Sequence, residues 1–114
     1  MSTNIQVVEE RGDDILVLLP VDRIDSSNAA GFESIITDHI SKGELRLIID
    51  FSRLNFISSS GLRVLLIAVK KLSATQGKLV LCGMQKHIQE VFTISGFDKL
   101  IPIRESRKAS INLF

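Results

Sequence analysis

The 114-residue chain lacks the features of secreted, membrane-embedded and nucleic-acid-binding proteins. Its single cysteine, Cys82, cannot form an internal disulfide, and the N-terminus has no basic segment followed by an apolar one, as a secretory signal would. No apolar run approaches the roughly 20 residues that span a bilayer. With 14 basic and 13 acidic side chains, the formal charge of +1 gives no broad attraction for nucleic acid or anionic membranes. We therefore expect a cytoplasmic protein that neither inserts into a membrane nor binds nucleic acid.

Motifs of common enzyme, cofactor and metal sites are also missing. His39 and His87 are far apart, with no cysteine or carboxylate pattern of metal-ligand spacing, so we expect both to be ordinary helix residues. The chain has no glycine-rich phosphate loop with its lysine and no Gly-x-Ser-x-Gly nucleophile elbow. Cys82 lies in the apolar run KLVLCG, which indicates a buried, inert thiol. We expect no enzymatic activity, no cofactor and no metal.

The composition is that of one folded domain. Hydrophobic residues make up 45% of the sequence, which argues against disorder. A chain of this length can bury a core without disulfides or metals. No linker, internal repeat or low-complexity segment divides it, so we predict a single domain over residues 1–114.

Strand-like and helix-like patterns alternate along the chain. Residues 5–21 form two apolar runs around Gly12-Asp13-Asp14, which predicts a β-hairpin. Asp25, Ser26 or Ser27 can cap the helix that follows. This first helix is predicted to end at Gly43. The remaining predicted elements are strands at 45–51, 78–83 and 99–105, helices at 61–77 and 87–97, and a closing helix within 105–114 that is anchored by Ala109, Leu113 and Phe114.

The order of these elements, β-β-α-β-α-β-α-β, defines the fold class. Strands that alternate with helices predict right-handed crossovers and therefore a mixed, mostly parallel sheet with helices packed against it. The opening hairpin adds the antiparallel part. We expect the last strand at an edge of the sheet because Pro102 lacks a backbone donor. The sequence thus predicts a single α/β domain.

The most informative segment is DFSRLNFISSSGLRVLL, residues 50–66. It places Asp50 at the end of a predicted strand and three consecutive serines directly before Gly61 and a helix. Free N–H groups at a helix N-terminus favour anions and serine caps, and a glycine allows another part of the chain to approach closely. From these residues alone, the serines are either caps and turn formers or a site that tolerates a phosphate. Asp50 is expected to accept hydrogen bonds that order the loop.

The same segment resembles the motif of the STAS domain. In that family an Asp-x-Ser at a strand end leads through a short apolar stretch to Asp-Ser-Ser-Gly or Asp-Ser-Thr-Gly and then a helix. The predicted order of elements is also similar to the family's over nearly the whole chain. The matching positions are Asp50 and Ser52 for the opening pair, Phe56 and Ile57 for the apolar stretch, and Ser59, Ser60 and Gly61 for the Ser-Ser-Gly.

The resemblance implies a function. STAS proteins of this length typically are anti-sigma factor antagonists that act by partner switching. Unphosphorylated, they bind an anti-sigma factor that is also a serine kinase of the GHKL ATPase type; phosphorylated on the first serine of Ser-Ser-Gly, they dissociate, and a PP2C-type phosphatase resets them. By its position in the motif, the resemblance implies that Ser59 is the serine that accepts the phosphate. The motif and partner-binding residues are Asp50, Ser52, Ser58, Ser60, Gly61, Leu62 and Arg63.

The chain departs from the family motif at Ser58, where many members have an aspartate. The missing carboxylate either reduces contacts to the kinase or is replaced by Ser58 as a hydrogen-bonding group, and Ser58 is also the second candidate for phosphorylation. The register of the motif favours Ser59.

Two other functions are compatible with the sequence. The first is a STAS docking subunit of another complex, such as a lipid-transport ATPase or a stressosome-like scaffold. The second is a small hydrolase or nucleotide-binding protein that uses Asp50 and the serines. Phosphorylation by a GHKL kinase would distinguish the switch from the docking subunit, and turnover of esters or nucleotides would be needed for the second alternative.

Overall fold

The computed structural model describes residues 5–114 and shows an α/β fold with two sheets; the first four residues of the predicted domain lie outside this range. The larger sheet has five strands in the order β1-β2-β4-β6-β7, with β1–β2 antiparallel and the other pairs parallel. The smaller sheet is the parallel pair of β3 and β5. The strands are β1 (Val7–Gly12), β2 (Ile15–Pro20), β3 (Asp22–Ile24), β4 (Arg46–Asp50), β5 (Leu54–Ile57), β6 (Lys78–Cys82) and β7 (Ile103–Arg104). The helices are α1 (Ala29–Ser41), α2 (Ser59–Ala74), α3 (Lys86–Ser95) and α4 (Arg107–Ile111), with a 3-10 turn at Phe97–Lys99.

The opening hairpin is confirmed. Gly12 pairs with Ile15, so the turn consists of Asp13 and Asp14, whose φ angles are 54° and 63°. Two central residues with positive φ match the right-handed twist of the flanking strands, and aspartate is one of the residues that tolerates this conformation.

The central strands are buried on both faces, as the continuous apolar run of β2 indicated. Leu16 and Leu18 of β2 belong to the core cluster beneath α1, α2 and α3. Ile15 and Val17 face the other way, into a smaller cluster against which Leu113 and Phe114 pack. The predicted anchoring of the C-terminal segment by these last two residues is therefore confirmed, and Ala109 is half-buried in α4.

Several element boundaries differ from the prediction. The α2 helix begins at Ser59, inside the serine run, instead of at Gly61. The N-cap of α1 is Asn28, and not Asp25, Ser26 or Ser27 as predicted. The Asp25 carboxylate is not available to cap α1, because it already accepts the Ser27 N–H at 2.9 Å. The strands β3 and β5 were not predicted, since runs of three and four residues give too little periodicity.

The last strand is shorter than predicted and lies at the sheet edge, as expected. A 3-10 turn at Phe97–Lys99 occupies the start of the predicted strand, and pairing with β6 is limited to Ile103 and Arg104. Pro102 still contributes its carbonyl, which accepts the Leu81 N–H at 2.9 Å. The missing donor of Pro102 is consistent with this edge position.

Gly61 allows α2 to pack tightly on the smaller sheet. A Cβ at this position would lie 2.7 Å from Ile57 Cγ1 and 2.8 Å from Ile24 Cγ2, both on buried side chains. The close approach expected of this glycine is therefore present, although Gly61 has an ordinary helical conformation and not a positive φ.

We predict that Gly61→Val destabilises the fold by about 1–3 kcal/mol, because its side chain would overpack the contact with Ile24 and Ile57. Gly12→Val is the matched control, since nothing lies within 4 Å of a Cβ at Gly12. Urea denaturation measures both variants. Equal stability of the Gly61 variant and the wild type would contradict the packing argument, because helix propensity alone predicts a neutral or favourable change.

Candidate functional site

The three serines lie where β5 passes into α2, and Ser58 is the N-cap of the helix. Its backbone is extended, its hydroxyl oxygen accepts the Gly61 N–H at 3.3 Å, and its own N–H donates to Ile24 O at 2.9 Å. The first bond caps α2, and the second joins the start of the helix to β3. Ser58 thus makes the hydrogen bond that an aspartate at an N-cap would make.

Ser59 and Ser60 are the first two residues of α2, and they differ in exposure. Ser59 is exposed, whereas Ser60 is half-buried. The Ser59 hydroxyl has no hydrogen-bond partner among residues 5–114. Of the three hydroxyls, that of Ser59 is therefore both exposed and without a hydrogen bond to the described residues.

The remaining motif residues of α2 divide between core and surface. Gly61 is buried, and Leu62 is only 8% exposed, within the core cluster beneath the helices. These two residues pack the start of α2 against the core. Arg63 is exposed. Of the positions expected to bind a partner after Ser60, Arg63 alone presents its side chain to solvent without rearrangement.

Asp50 lies at the end of β4 and is 6% exposed. Its Oδ1 accepts the Ser52 N–H at 2.9 Å, which confirms its expected role in ordering the loop after β4. The loop packs closely here, since a Cβ on Gly83 would lie 2.6 Å from Asp50 Oδ1. In the described part of the chain, no hydrogen bond joins Asp50 or Ser52 to the three serines, so the two halves of the motif stabilise different features.

The partner of Asp50 that sequence reasoning missed is Arg107. The Arg107 Nε donates to Asp50 Oδ2 at 2.7 Å, and its Nη1 pairs with Glu10 of β1. Burial raises the pKa of Asp50, but the hydrogen bonds from Arg107 and Ser52 outweigh it, so the pKa of this carboxyl lies below its usual range. The bonds to Glu10 and Asp50 raise the pKa of Arg107. Since 57 residues separate Asp50 from Arg107, no local pattern in the sequence indicates the pair.

Cys82 lies beside this ion pair and is fully buried. Burial and the neighbouring Asp50 charge raise the pKa of its thiol to about 11, although a hydrogen bond with Ser110 acts in the opposite direction. The predicted burial of the thiol is confirmed, and a raised pKa makes the thiolate scarce at neutral pH, in agreement with an unreactive group.

An exposed aromatic residue lies next to the serine run. Phe56 of β5 is 43% exposed, and the Arg23 guanidinium carbon lies 4.8 Å from the centre of its ring. Arg23 also donates from Nε to Asp25 Oδ2 at 2.8 Å. The sequence assigned Phe56 to the apolar stretch of the motif. It did not predict that Arg23 stacks on this ring, because that contact depends on the unpredicted pairing of β3 with β5.

The two histidines have structural contacts. The His87 Nε2, at the start of α3, donates to Asn55 O at 2.7 Å, and His39 of α1 pairs with Glu9 at 3.1 Å. Within residues 5–114, no group of three or more His, Cys, Asp or Glu side chains could hold a metal ion. No helix in this range is both long and apolar enough to cross a bilayer.

The fold and the serine motif agree with a comparison against known protein families. The family model described as STAS domain matches residues 5–110, so the chain belongs to the STAS domain family. BtrV of Bordetella bronchiseptica, named as a candidate anti-sigma factor antagonist, is 44% identical over 91 residues, which are 80% of this chain and 78% of BtrV.

Two solved structures have the same fold. A crystal structure of a candidate anti-sigma factor antagonist from Thermotoga maritima superposes with a TM-score of 0.89, at 20% identity, over 93% of this chain and 92% of the other. The Bacillus cell fate determinant SpoIIAA in its phosphorylated form has a TM-score of 0.72, at 22% identity, over 97% of this chain and 100% of the other.

We predict that Arg107→Met destabilises the protein by about 1–3 kcal/mol at neutral pH, because a buried carboxylate loses its charged partner. Without that partner, the folded-state pKa of Asp50 should rise, because burial is then opposed only by the hydrogen bonds from Ser52. In the wild type, the depressed pKa contributes stability that is present above the unfolded value, about 3.9, and is lost as the pH falls through the lower folded value. In the variant the folded-state pKa is less depressed, so less stability should be lost as the pH falls.

Carboxyl titration by NMR and urea denaturation across pH measure these effects. Arg104→Met is the matched control, because Arg104 is exposed and its side chain bonds only the neighbouring Ile103 carbonyl among the described residues. An Asp50 pKa that stays the same in Arg107→Met would show that Arg107 does not set it.

Proposed function

We propose that this chain is a cytoplasmic anti-sigma factor antagonist switched by phosphorylation of Ser59. In the unphosphorylated state it binds an anti-sigma factor that is also a GHKL-type serine kinase. Phosphorylation releases that partner, and a PP2C-type phosphatase restores binding. The membership of the STAS family, the name of BtrV and the phosphorylated form of SpoIIAA support this assignment.

The observation that carries the proposal is the different state of the three hydroxyls. A kinase needs a hydroxyl that can reach the γ-phosphate of ATP. The Ser58 hydroxyl is engaged as the N-cap and Ser60 is half-buried, whereas Ser59 is exposed at the first residue of α2. This geometry agrees with the register of the family motif in favouring Ser59.

A role as a kinase substrate also fits the other reactive groups of the chain. The Asp50 carboxylate is held by Arg107 and by the Ser52 N–H, and its pKa is lowered, so it is not a poised general base. The Cys82 thiol is buried with a raised pKa. Neither group has the access and activation that a nucleophilic enzyme requires.

Phosphopeptide mapping after incubation with the cognate kinase and ATP should locate the phosphate on Ser59. Ser59→Ala should abolish labelling. Ser58→Asp is the matched control, because it removes the neighbouring hydroxyl but keeps a side chain that can cap α2. Full labelling of Ser59→Ala, with phosphate on Ser58 or Ser60, would refute the assignment of Ser59.

The release mechanism follows from the position of Ser59 in α2. A phosphate there carries about −1.5 to −2 charges at neutral pH, and the positive end of the helix dipole tolerates it. The domain should therefore keep its fold. At an interface with the kinase, however, a buried and unmatched dianion costs several kcal/mol in desolvation and repulsion. Release then results from a local charge and not from unfolding.

Calorimetry with the purified kinase tests this mechanism. Ser59→Asp and Ser59→Glu should weaken binding about tenfold or more, which corresponds to about 1.4 kcal/mol, while Ser59→Ala should bind and resist release by ATP. Circular dichroism should be the same for all variants. Equal affinities for the acidic and alanine variants would refute an electrostatic switch, and so would an acidic variant that unfolds.

A further inference from the structure

Arg63 is an exposed cation close to the proposed phosphorylation site. It lies in the second turn of α2, four residues after Ser59. Within residues 5–114 it takes part in no ion pair, and its side chain has no hydrogen-bond partner. An unengaged guanidinium beside an exposed serine is available for a phosphate added to that serine.

The helical spacing brings position 63 next to position 59. Residues at i and i+4 are neighbours on a helix surface, and an acidic group placed N-terminal to a basic one is the more favourable orientation. The corresponding positions for the other serines differ: Leu62 follows Ser58 and Val64 follows Ser60, and both are buried. Arg63 is three residues from Ser60, but Ser60 is half-buried.

Several charged groups near α2 are already engaged with other partners. Arg23 is paired with Asp25 at 2.8 Å and stacked on Phe56, Asp38 pairs with Lys42, and His39 pairs with Glu9. Lys78 begins β6 after the C-terminal end of α2. The charged or titratable side chains on the elements that pack against α2 are Asp22 and Arg23 of β3, Asp25 after it, Glu33, Asp38 and His39 of α1, and Lys78 and the buried Cys82 of β6.

We propose that Arg63 binds the phosphate of phosphorylated Ser59 within the same helix and holds it as a dianion. This inference rests on the proposed function and specifies how its switch is set. A guanidinium can form two parallel hydrogen bonds to phosphate oxygens, which favours the doubly charged form. Because the second pKa of phosphoserine is about 6, a small downward shift makes the full charge present at neutral pH. The phosphate group itself is then almost fully doubly ionised at neutral pH.

The test uses the full chain with phosphoserine genetically encoded at position 59, so that no kinase is needed. Titration by phosphorus NMR gives the midpoint of the second ionisation. We expect the midpoint in the Arg63→Gln variant to be higher than in the otherwise unchanged phosphoprotein by about 0.2–0.4 pH units at low salt. Arg63→Lys should keep most of the lowered midpoint, since it retains the positive charge.

Lys70→Gln is the control for general charge. Lys70 is exposed and lies eleven residues after Ser59, on about the same face of α2 but about 16 Å further along its axis. The midpoint of the second phosphate ionisation in the Lys70→Gln phosphoprotein should equal that of the otherwise unchanged phosphoprotein. The same midpoint with and without Arg63, or an equal shift in Lys70→Gln, would overturn the proposal. Phosphopeptide mapping tests the choice of Ser59 separately, because a kinase that modifies another residue leaves this titration unaffected.

Discussion

The burial of β2, β4 and β6 on both faces is the constraint on which the rest of the fold depends. Among residues 5–114, three helices cover one face, whereas the short α4 and the last residues, Leu113 and Phe114, cover the other. Arg107 connects this thin cover to the sheet by bonding Asp50 at the end of β4 and Glu10 in β1. Asp50 in turn orders the loop that leads towards β5 and α2. The ion pair therefore links the C-terminal segment to the motif that marks the family.

The start of α2 separates two tasks among adjacent residues of the same type. Ser58 contributes its hydroxyl to the helix and its N–H to β3, and a modification of its hydroxyl would disturb the first of these bonds. Ser59 contributes only its backbone to the helix. A phosphate on Ser59 can therefore change the surface without removing a bond that supports the fold.

The sequence predicted the α/β class, the opening hairpin, the edge position of the last strand and the buried Cys82, because each depends on local patterns of apolar and turn residues. It did not predict β3 and β5, whose three- and four-residue runs are stabilised by pairing with each other. It also placed the start of α2 two residues late, since serines are compatible with both a loop and a first helical turn. Arg107 as the partner of Asp50 and Arg23 as the partner of Phe56 are long-range contacts. Local periodicity carries no information about such contacts.

The strand order affects how the chain can fold during synthesis. After the hairpin, each strand of the larger sheet pairs with the preceding one, so the sheet grows in one direction as the chain emerges. The helices between the strands can cover one face at each step. The opposite face, with Ile15, Val17, Ile48 and Val80, remains open to water until Leu113 and Phe114 have left the ribosome. This apolar face of the sheet is therefore the last part of the core to be covered.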